Sequence, residues 1–268
     1  MTRIRENCVT LELSALISVI RDCFCFFCGH SAMVDIHCHI LPGIDDGSDT
    51  WETTEAMCRM AARDGITHIV ATPHCDDHYI YDREHSTDML GTLSEIAGEW
   101  LTFTIGCDLH LSPRNLEDAM NDPRRFAVGD TQYLMIEFDH HSIPAKAGEQ
   151  LLAILSRGMV PIITHPERNA FLMKNLHVVE RFVEKGCLVQ VTASALTGFW
   201  GPNSKEAAEK LVEKKMVHIV ATDAHDLKLR PPLLSEARKA VSSLAGPKVA
   251  EALFVNNPSS VVSGSSIA

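Results

Sequence analysis

From Met33 onward the chain repeats one unit: a short run of β-branched and apolar residues, then a longer amphipathic stretch, then the next run. Such alternation marks strand–helix–strand units, in which parallel strands are buried beneath their crossover helices. The runs centre on residues 34–37, 68–71, 101–105, 133–138, 160–163, 188–191 and 218–221. One strand plus one crossover helix consumes about thirty residues, which is the spacing seen. Between runs, 53–64 carries Ala56, Met57, Met60 and Ala61 at near-helical intervals, as an amphipathic helix requires. Gly65, Gly158 and Gly186 stand where a helix must stop before the next strand. Seven units predict an α/β fold, a TIM-like barrel of seven strands rather than an open sheet. The 268 residues suffice for one sizeable core, so residues 33–268 are expected to form a single domain. Neither a G-x-G-x-x-G nor a Walker string occurs, so nothing suggests a dinucleotide or P-loop site. The Ser-rich end, 259–266, reads as a frayed tail.

Residues 1–32 break the pattern. Their apolar run, 13–20, meets Arg21 and Asp22, too early for the roughly 20 apolar residues of a membrane span. Glu6, Glu12 and His30 fit a secretory leader poorly. Cys23, Cys25 and Cys28 lack an evident fourth zinc ligand nearby. This stretch is expected to lie outside the fold, with Met33 as the natural beginning. Nine cysteines, scattered and odd in number, speak against a disulfide scaffold and for a reducing compartment, hence the cytoplasm. The net charge of −11 opposes binding to nucleic acid or anionic lipid.

Active sites of α/β barrels form at the C-terminal ends of the strands, so the residues closing each run matter most. The first closes on Asp35-Ile36-His37-Cys38-His39 and the second on Thr72-Pro73-His74. The third closes on Gly106-Cys107-Asp108 and the fourth on Ile136-Glu137-Phe138. The fifth leads into His165-Pro166-Glu167-Arg168 and the seventh into Thr222-Asp223-Ala224-His225. Only the sixth, with Gln190 and Thr192, offers no strong ligand. Residues two apart on a strand point to one side, so His37 and His39 can reach one ion, as can Asp223 and His225. Alternation turns Cys38 away, into a packing role. Mixed imidazole and carboxylate ligands suit zinc, manganese or iron better than magnesium or calcium, with manganese or zinc favoured. Fourteen histidines in the chain fit the same reading. A cysteine-based phosphatase would need an arginine a few residues after its thiolate. Cys75 has none before Arg83, and the acidic residues around it would raise its pKa.

Together these strings resemble the polymerase and histidinol phosphatase (PHP) family, and more closely its bacterial branch of metal-dependent protein-tyrosine phosphatases encoded with capsular and exopolysaccharide genes. The likeness rests on the stretch from Asp35-Ile36-His37-Cys38-His39 through Asp45-Asp46-Gly47-Ser48, and on Thr72-Pro73-His74, Ile136-Glu137-Phe138 and His165-Pro166-Glu167-Arg168. It continues through Thr222–His225, Arg230-Pro231-Pro232 and Asn256-Asn257-Pro258, and covers Met33 to the C-terminus. It implies a distorted (β/α)7 barrel with three divalent metal ions, manganese or zinc first, iron or cobalt next. By the resemblance, His37, His39, Asp108 and Asp223 bind one ion; Asp108, Glu137 and His165 a second; Asp46, His74 and His225 a third. Arg168 and Arg230 match the arginines that grip phosphate. The departure is Asp108, where the branch carries Glu, and the shorter side chain is expected to loosen the shared ligand.

The implied activity is a phosphomonoester hydrolase acting on phosphotyrosine in a protein, and so in the regulation of capsule and exopolysaccharide synthesis. The expected partner is an autophosphorylating tyrosine kinase of the export system. Three divalent ions against four ionised carboxylates leave about two positive charges for a phosphate dianion. The expected reaction is in-line attack on phosphorus by a hydroxide bridging the metals, with arginines on the equatorial oxygens. The alternatives are a small-molecule phosphatase, with histidinol phosphate as substrate, and a catalytically silent metal-binding scaffold.

Overall fold

The longer strands form where the sequence places β-branched and apolar residues, and most of them run into a polar residue, proline or glycine at the C-terminal end. The computed structural model describes residues 32–267; the readings made on residues 1–31 lie outside these. The order is β1 (Met33–Cys38), α1 (Trp51–Asp64), β2 (Ile66–Ala71), β3 (His74–Cys75), α2 (Arg83–Ala97), β4 (Thr102–Ile105) and β5 (Asp108–His110). Then come α3 (Pro113–Asn121), β6 (Tyr133–Glu137), α4 (Ala147–Ser156), β7 (Val160–Thr164), α5 (Leu176–Glu184) and β8 (Leu188–Thr192). The last elements are α6 (Ala193–Leu196), α7 (Pro202–Glu213), β9 (Ile219–Ala221), α8 (Ser235–Ala245), α9 (Pro247–Glu251) and α10 (Asn257–Ser263).

Helix boundaries follow their caps. The Thr50 hydroxyl accepts from Thr53 N–H at the start of α1, one of the orphan donors that a cap must satisfy. Gly65, Gly158 and Gly186 follow α1, α4 and α5 with φ of 95°, 76° and 100°, a left-handed conformation that glycine adopts without a Cβ clash.

The strands form two parallel sheets, one ordered β1-β2-β4 and the other β3-β5-β6-β7-β8-β9. Nine strands stand where seven runs were expected, because the second and third runs are each followed, past a break, by a further short strand. Pro73 has no N–H to donate to the ladder, so β2 ends and β3 begins beyond it. Gly106 separates β4 from β5, and its N–H donates to Ala71 O at 2.8 Å. A Cβ there would lie 3.0 Å from Val70 Cγ1 and 3.2 Å from Thr72 Cγ2. Past the ends of the two sheets, Cys38 pairs with Ala224 in a parallel bridge. Asp223 N–H donates to His37 O at 2.8 Å and His39 N–H to Ala224 O at 2.8 Å.

Two apolar layers result. The larger packs the strands against the helices and takes in Cys38, Met57, Ile69, Leu109, Ile136 and Leu211. The smaller gathers Val34, Ile36, Met135, Ile162, Ile219 and Ala221. Met135 sits two residues before Glu137 on the same face of β6, and Ala221 ends β9 two residues before Asp223. This smaller layer is therefore the floor beneath the polar strand ends. The C-terminal segment is not a frayed tail: Val261 of α10 is buried in that floor, and Tyr133 donates its phenolic hydrogen to Ser265 O at 2.6 Å. Its serines face outward while Val261 packs inward, an amphipathic pattern that composition alone hides.

Candidate metal centre and phosphate-binding mouth

Six strand ends and the loops after them bring these side chains into one buried polar group. His37 and His39 both face it, as residues two apart on an extended strand do, although the pairing of β1 with β2 slips between Asp35 and Cys38. Their Nε2 atoms lie 3.2 Å apart, and Asp223 Oδ1 is 3.4 Å from each. His37 Nε2 is also 3.4 Å from Asp108 Oδ2. That oxygen is 3.5 Å from His74 Nδ1, which is 3.6 Å from Glu137 Oε2. The other Glu137 oxygen lies 3.4 Å from His165 Nε2. On the outer side, Asp46 Oδ1 is 3.4 Å from His74 Nε2 and 3.3 Å from His225 Nε2. All nine side chains assigned as ligands thus meet in one place.

Three sets have donor atoms within 4.8 Å of one another: His39, Asp46, His74 and His225; His37, His39 and Asp108; and His74, Asp108 and Glu137. These overlap the expected sets without matching them. His39 also joins the outer group, and His74 takes the place of His165 beside Asp108 and Glu137. Glu137 explains the second difference, since one of its oxygens faces each histidine. The short Asp108 still stands between His37 and His74.

Two of these nine side chains stand on unusual backbone conformations. His165 and Asp223 have φ of 31° and 53°, a region that non-glycine residues enter at a cost of about 1–3 kcal/mol and that clusters at functional sites. Gly47 serves the same end: a Cβ on it would lie 2.2 Å from His39 O. Only glycine lets the 45–48 loop lie on the end of β1, where Asp45 Oδ2 accepts from His39 Nδ1 at 2.8 Å.

Charge within the group is uneven. Burial by itself would lower the pKa of His37, but the carboxylates of Asp108 and Asp223 outweigh it and raise it to about 9. Burial likewise opposes charge on His74, yet the hydrogen bond to Asp46 and the charges of Asp108 and Glu137 lift it to about 10. His225 falls to about 4, through burial and the neighbouring His39. Burial also lowers His165, with Arg168 adding to the effect. The Asp46 carboxyl is held far below its usual range by the neighbouring imidazoles of His225 and His74. Asp108 and Asp223 stay ionised despite full burial, held down by His37 and by the two arginines respectively.

His74 Nδ1, Asp108 Oδ2 and His225 Nε2 are buried without a hydrogen-bond partner. Buried polar atoms are almost always partnered, so three orphans aimed into one cluster of imidazoles and carboxylates suit divalent cations. Both arginines border the same place. Arg168 Nη1 and Arg230 Nη2 both donate to Asp223 Oδ2, the latter at 2.7 Å. The guanidinium of Arg168 stacks 4.0 Å from the centre of the Trp200 ring, and that of Arg230 lies 5.7 Å from it. The mouth is a cavity of about 390 Å³ that Asp46, His74, His110, Glu137, Arg168 and Arg230 help to line.

Residue patterns missed several supports. Gln190, set aside as a non-ligand, accepts from His37 Nδ1 at 2.9 Å and so fixes which nitrogen faces the site. Asp45 does the same for His39. Asp35, within β1, instead accepts from Thr222 N–H at 2.9 Å, a brace between the first strand and the residue after the last. Trp200 and His110 carried no local signal, being brought to the mouth only by folding.

A family described as capsular polysaccharide synthesis, CpsB/CapC, matches residues 33–263. The chain belongs to the CpsB/CapC family. Among CpsB/CapC relatives, the tyrosine-protein phosphatase YwqE of Bacillus subtilis (strain 168) is 34% identical over 207 residues, 74% of this chain and 79% of that protein. The tyrosine-protein phosphatase CpsB of Streptococcus pneumoniae is 30% identical over 239 residues, 86% of this chain and 98% of that protein. A chain from the crystal structures of YwqE and CpsB, described as metal-dependent tyrosine phosphatases, superposes with a TM-score of 0.80 at 30% identity. That superposition covers 88% of this chain and 96% of the other. A histidinol phosphate phosphatase from Lactococcus lactis aligns with a TM-score of 0.54 at 14% identity, over 80% and 94% of the two chains. This last likeness concerns the fold alone.

Proposed function

We propose that this chain hydrolyses the phosphate ester of phosphotyrosine in a protein, using divalent cations held by His37, His39, Asp46, His74, Asp108, Glu137, His165, Asp223 and His225. The observation that carries this reading is the convergence of orphaned buried ligand atoms beside two arginines at the mouth of one cavity. Bound there, the cations supply an acidified attacking water and positive charge facing the phosphate. Three ions fit the number of donors, with manganese or zinc favoured by the mixed imidazole and carboxylate set and iron or cobalt acceptable. Arg168 and Arg230 present planar guanidinium forks suited to phosphate oxygens, and Trp200 holds them toward the mouth. Asp45 and Gln190 hold the histidines so that Nε2 faces inward.

The two sheets read together as a distorted seven-stranded barrel, its seam made by the Cys38 and Ala224 bridge. Residues 33–268 form its single domain, with 1–32 as an extension. Among the described residues no helix is long and apolar enough to cross a membrane, and we place the reaction in the cytoplasm. The protein substrate is read as an autophosphorylating tyrosine kinase of a polysaccharide export system.

The test compares a phosphotyrosyl peptide with histidinol phosphate, with manganese or zinc supplied and then with chelator. Metal-dependent turnover of the peptide in preference to histidinol phosphate is expected. The reverse preference would make the chain a small-molecule phosphatase, and no turnover with any of these metals would make it a silent scaffold.

A further inference from the structure

Beside the mouth lies a second cavity, of about 310 Å³, between the N-terminal half of α4 and α5. Ile143, Phe171, Val178 and Phe182 supply its apolar walls, and Arg181 and Lys185 its charged edge. Phe171 is 40% exposed, an aromatic ring left half in water at the rim. Gly148 deepens the floor, since a Cβ there would meet Phe182 Cε1 and Lys185 Nζ at 3.8 Å.

This groove and the mouth share their walls. Asp139 and His140 line the mouth while Ile143 lines the groove, and Arg168 lines the mouth while Phe171 lines the groove. The two loops are laced together by the buried Asn169, whose Nδ2 donates to Asp139 O and to Ser142 O at 2.5 and 2.8 Å. Ala170 N–H donates to His140 O at 2.8 Å. Mouth and groove lie three positions apart on each loop, a span of at most about 10 Å. A polypeptide whose phosphotyrosine sits in the mouth therefore reaches the groove with a residue about three positions away.

Resting on the phosphatase reading, we propose that this groove is a substrate subsite for the polypeptide flanking the phosphotyrosine, taking an apolar side chain together with an adjacent acidic one. The chemistry of the walls sets that preference. Apolar lining favours an aliphatic or aromatic side chain. Two exposed cations at its edge, on a chain of net charge −11, are a local reversal of sign that attracts a carboxylate.

The test uses the full chain loaded with manganese and two fluorescent phosphotyrosyl peptides. One carries Leu and Glu three and four positions from the phosphotyrosine on both sides; the other carries Gly and Lys there. The wild type should bind the first about tenfold more tightly, as measured by anisotropy, and show a correspondingly lower KM. The double substitution R181E/K185E should erase the difference, and Gly148→Leu, which fills the floor, should weaken the first peptide alone. Turnover of an aryl phosphate too small to reach the groove should be unchanged in every variant. Equal affinity of the wild type for both peptides, or a preference that survives R181E/K185E, overturns the subsite. A dimer in sedimentation that R181E/K185E dissociates would assign the groove to a second copy and also overturn it. Loss of aryl phosphate turnover in the wild type strikes the phosphatase reading instead, while the binding arm still decides the subsite.

Discussion

Asp223 answers to two kinds of partner at once, with Oδ1 directed to His37 and His39 and Oδ2 taken by Arg168 and Arg230. The arginines thus neutralise a buried carboxylate as well as facing the mouth. Arg168→Ala should raise KM for a phosphotyrosyl peptide by about tenfold, and unchanged steady-state kinetics would remove Arg168 from the phosphate site. Gln190 acts one step further back. Gln190→Leu leaves His37 Nδ1 without its acceptor and should weaken metal binding by about 10–100-fold, as read by titration calorimetry; unaltered affinity would refute its positioning role. Metal ligation requires neutral imidazole. His37, raised to about 9, holds its proton at neutral pH until a cation displaces it. Affinity should therefore climb as pH rises from 7 toward 9, by up to about tenfold per unit for one proton. Calorimetry in buffers of different ionisation enthalpy should register proton release, and a pH-independent affinity would contradict the assignment.

At the scale of elements, the short loop after β1 decides whether Asp45 and Asp46 reach the histidines. Gly47→Ala places a Cβ where His39 O stands, so the loop must shift. The expected cost is about 1–3 kcal/mol, a fall in Tm of roughly 3–10 °C, together with loss of metal affinity; a variant with native Tm and metal content would show that the close approach is dispensable. The clustering of candidate side chains at strand ends was legible because alternation and crossover spacing act locally, residue by residue along each run. The breaks at Pro73 and Gly106 were present in the sequence as single residues, but their effect is to split a ladder shared with a neighbouring strand. Likewise the slip between Asp35 and Cys38 belongs to the pairing with β2 and not to β1 alone. Trp200 beneath the arginines, His110 at the mouth and Val261 in the floor depend on contacts far apart in the chain, which periodicity does not encode.

At the scale of the whole molecule, an acidic chain acquires a site for a dianion by enclosing carboxylates and imidazoles that cations can bind, with two arginines beside them. The CpsB/CapC match spans the same residues as the strand and helix pattern, so fold and site belong to one inherited unit. Five cysteines among the described residues are buried and unpaired, and the framework rests on its apolar layers. The central claim is that cations bound by the nine strand-end side chains make this chain a tyrosine phosphatase. Elemental analysis of the purified protein, paired with turnover of a phosphotyrosyl peptide before and after chelation, tests it most directly. Bound transition metal is expected, with activity lost on chelation and restored by manganese or zinc. A well-folded protein that takes up no metal, or that keeps full activity once its metal is stripped, would contradict the account.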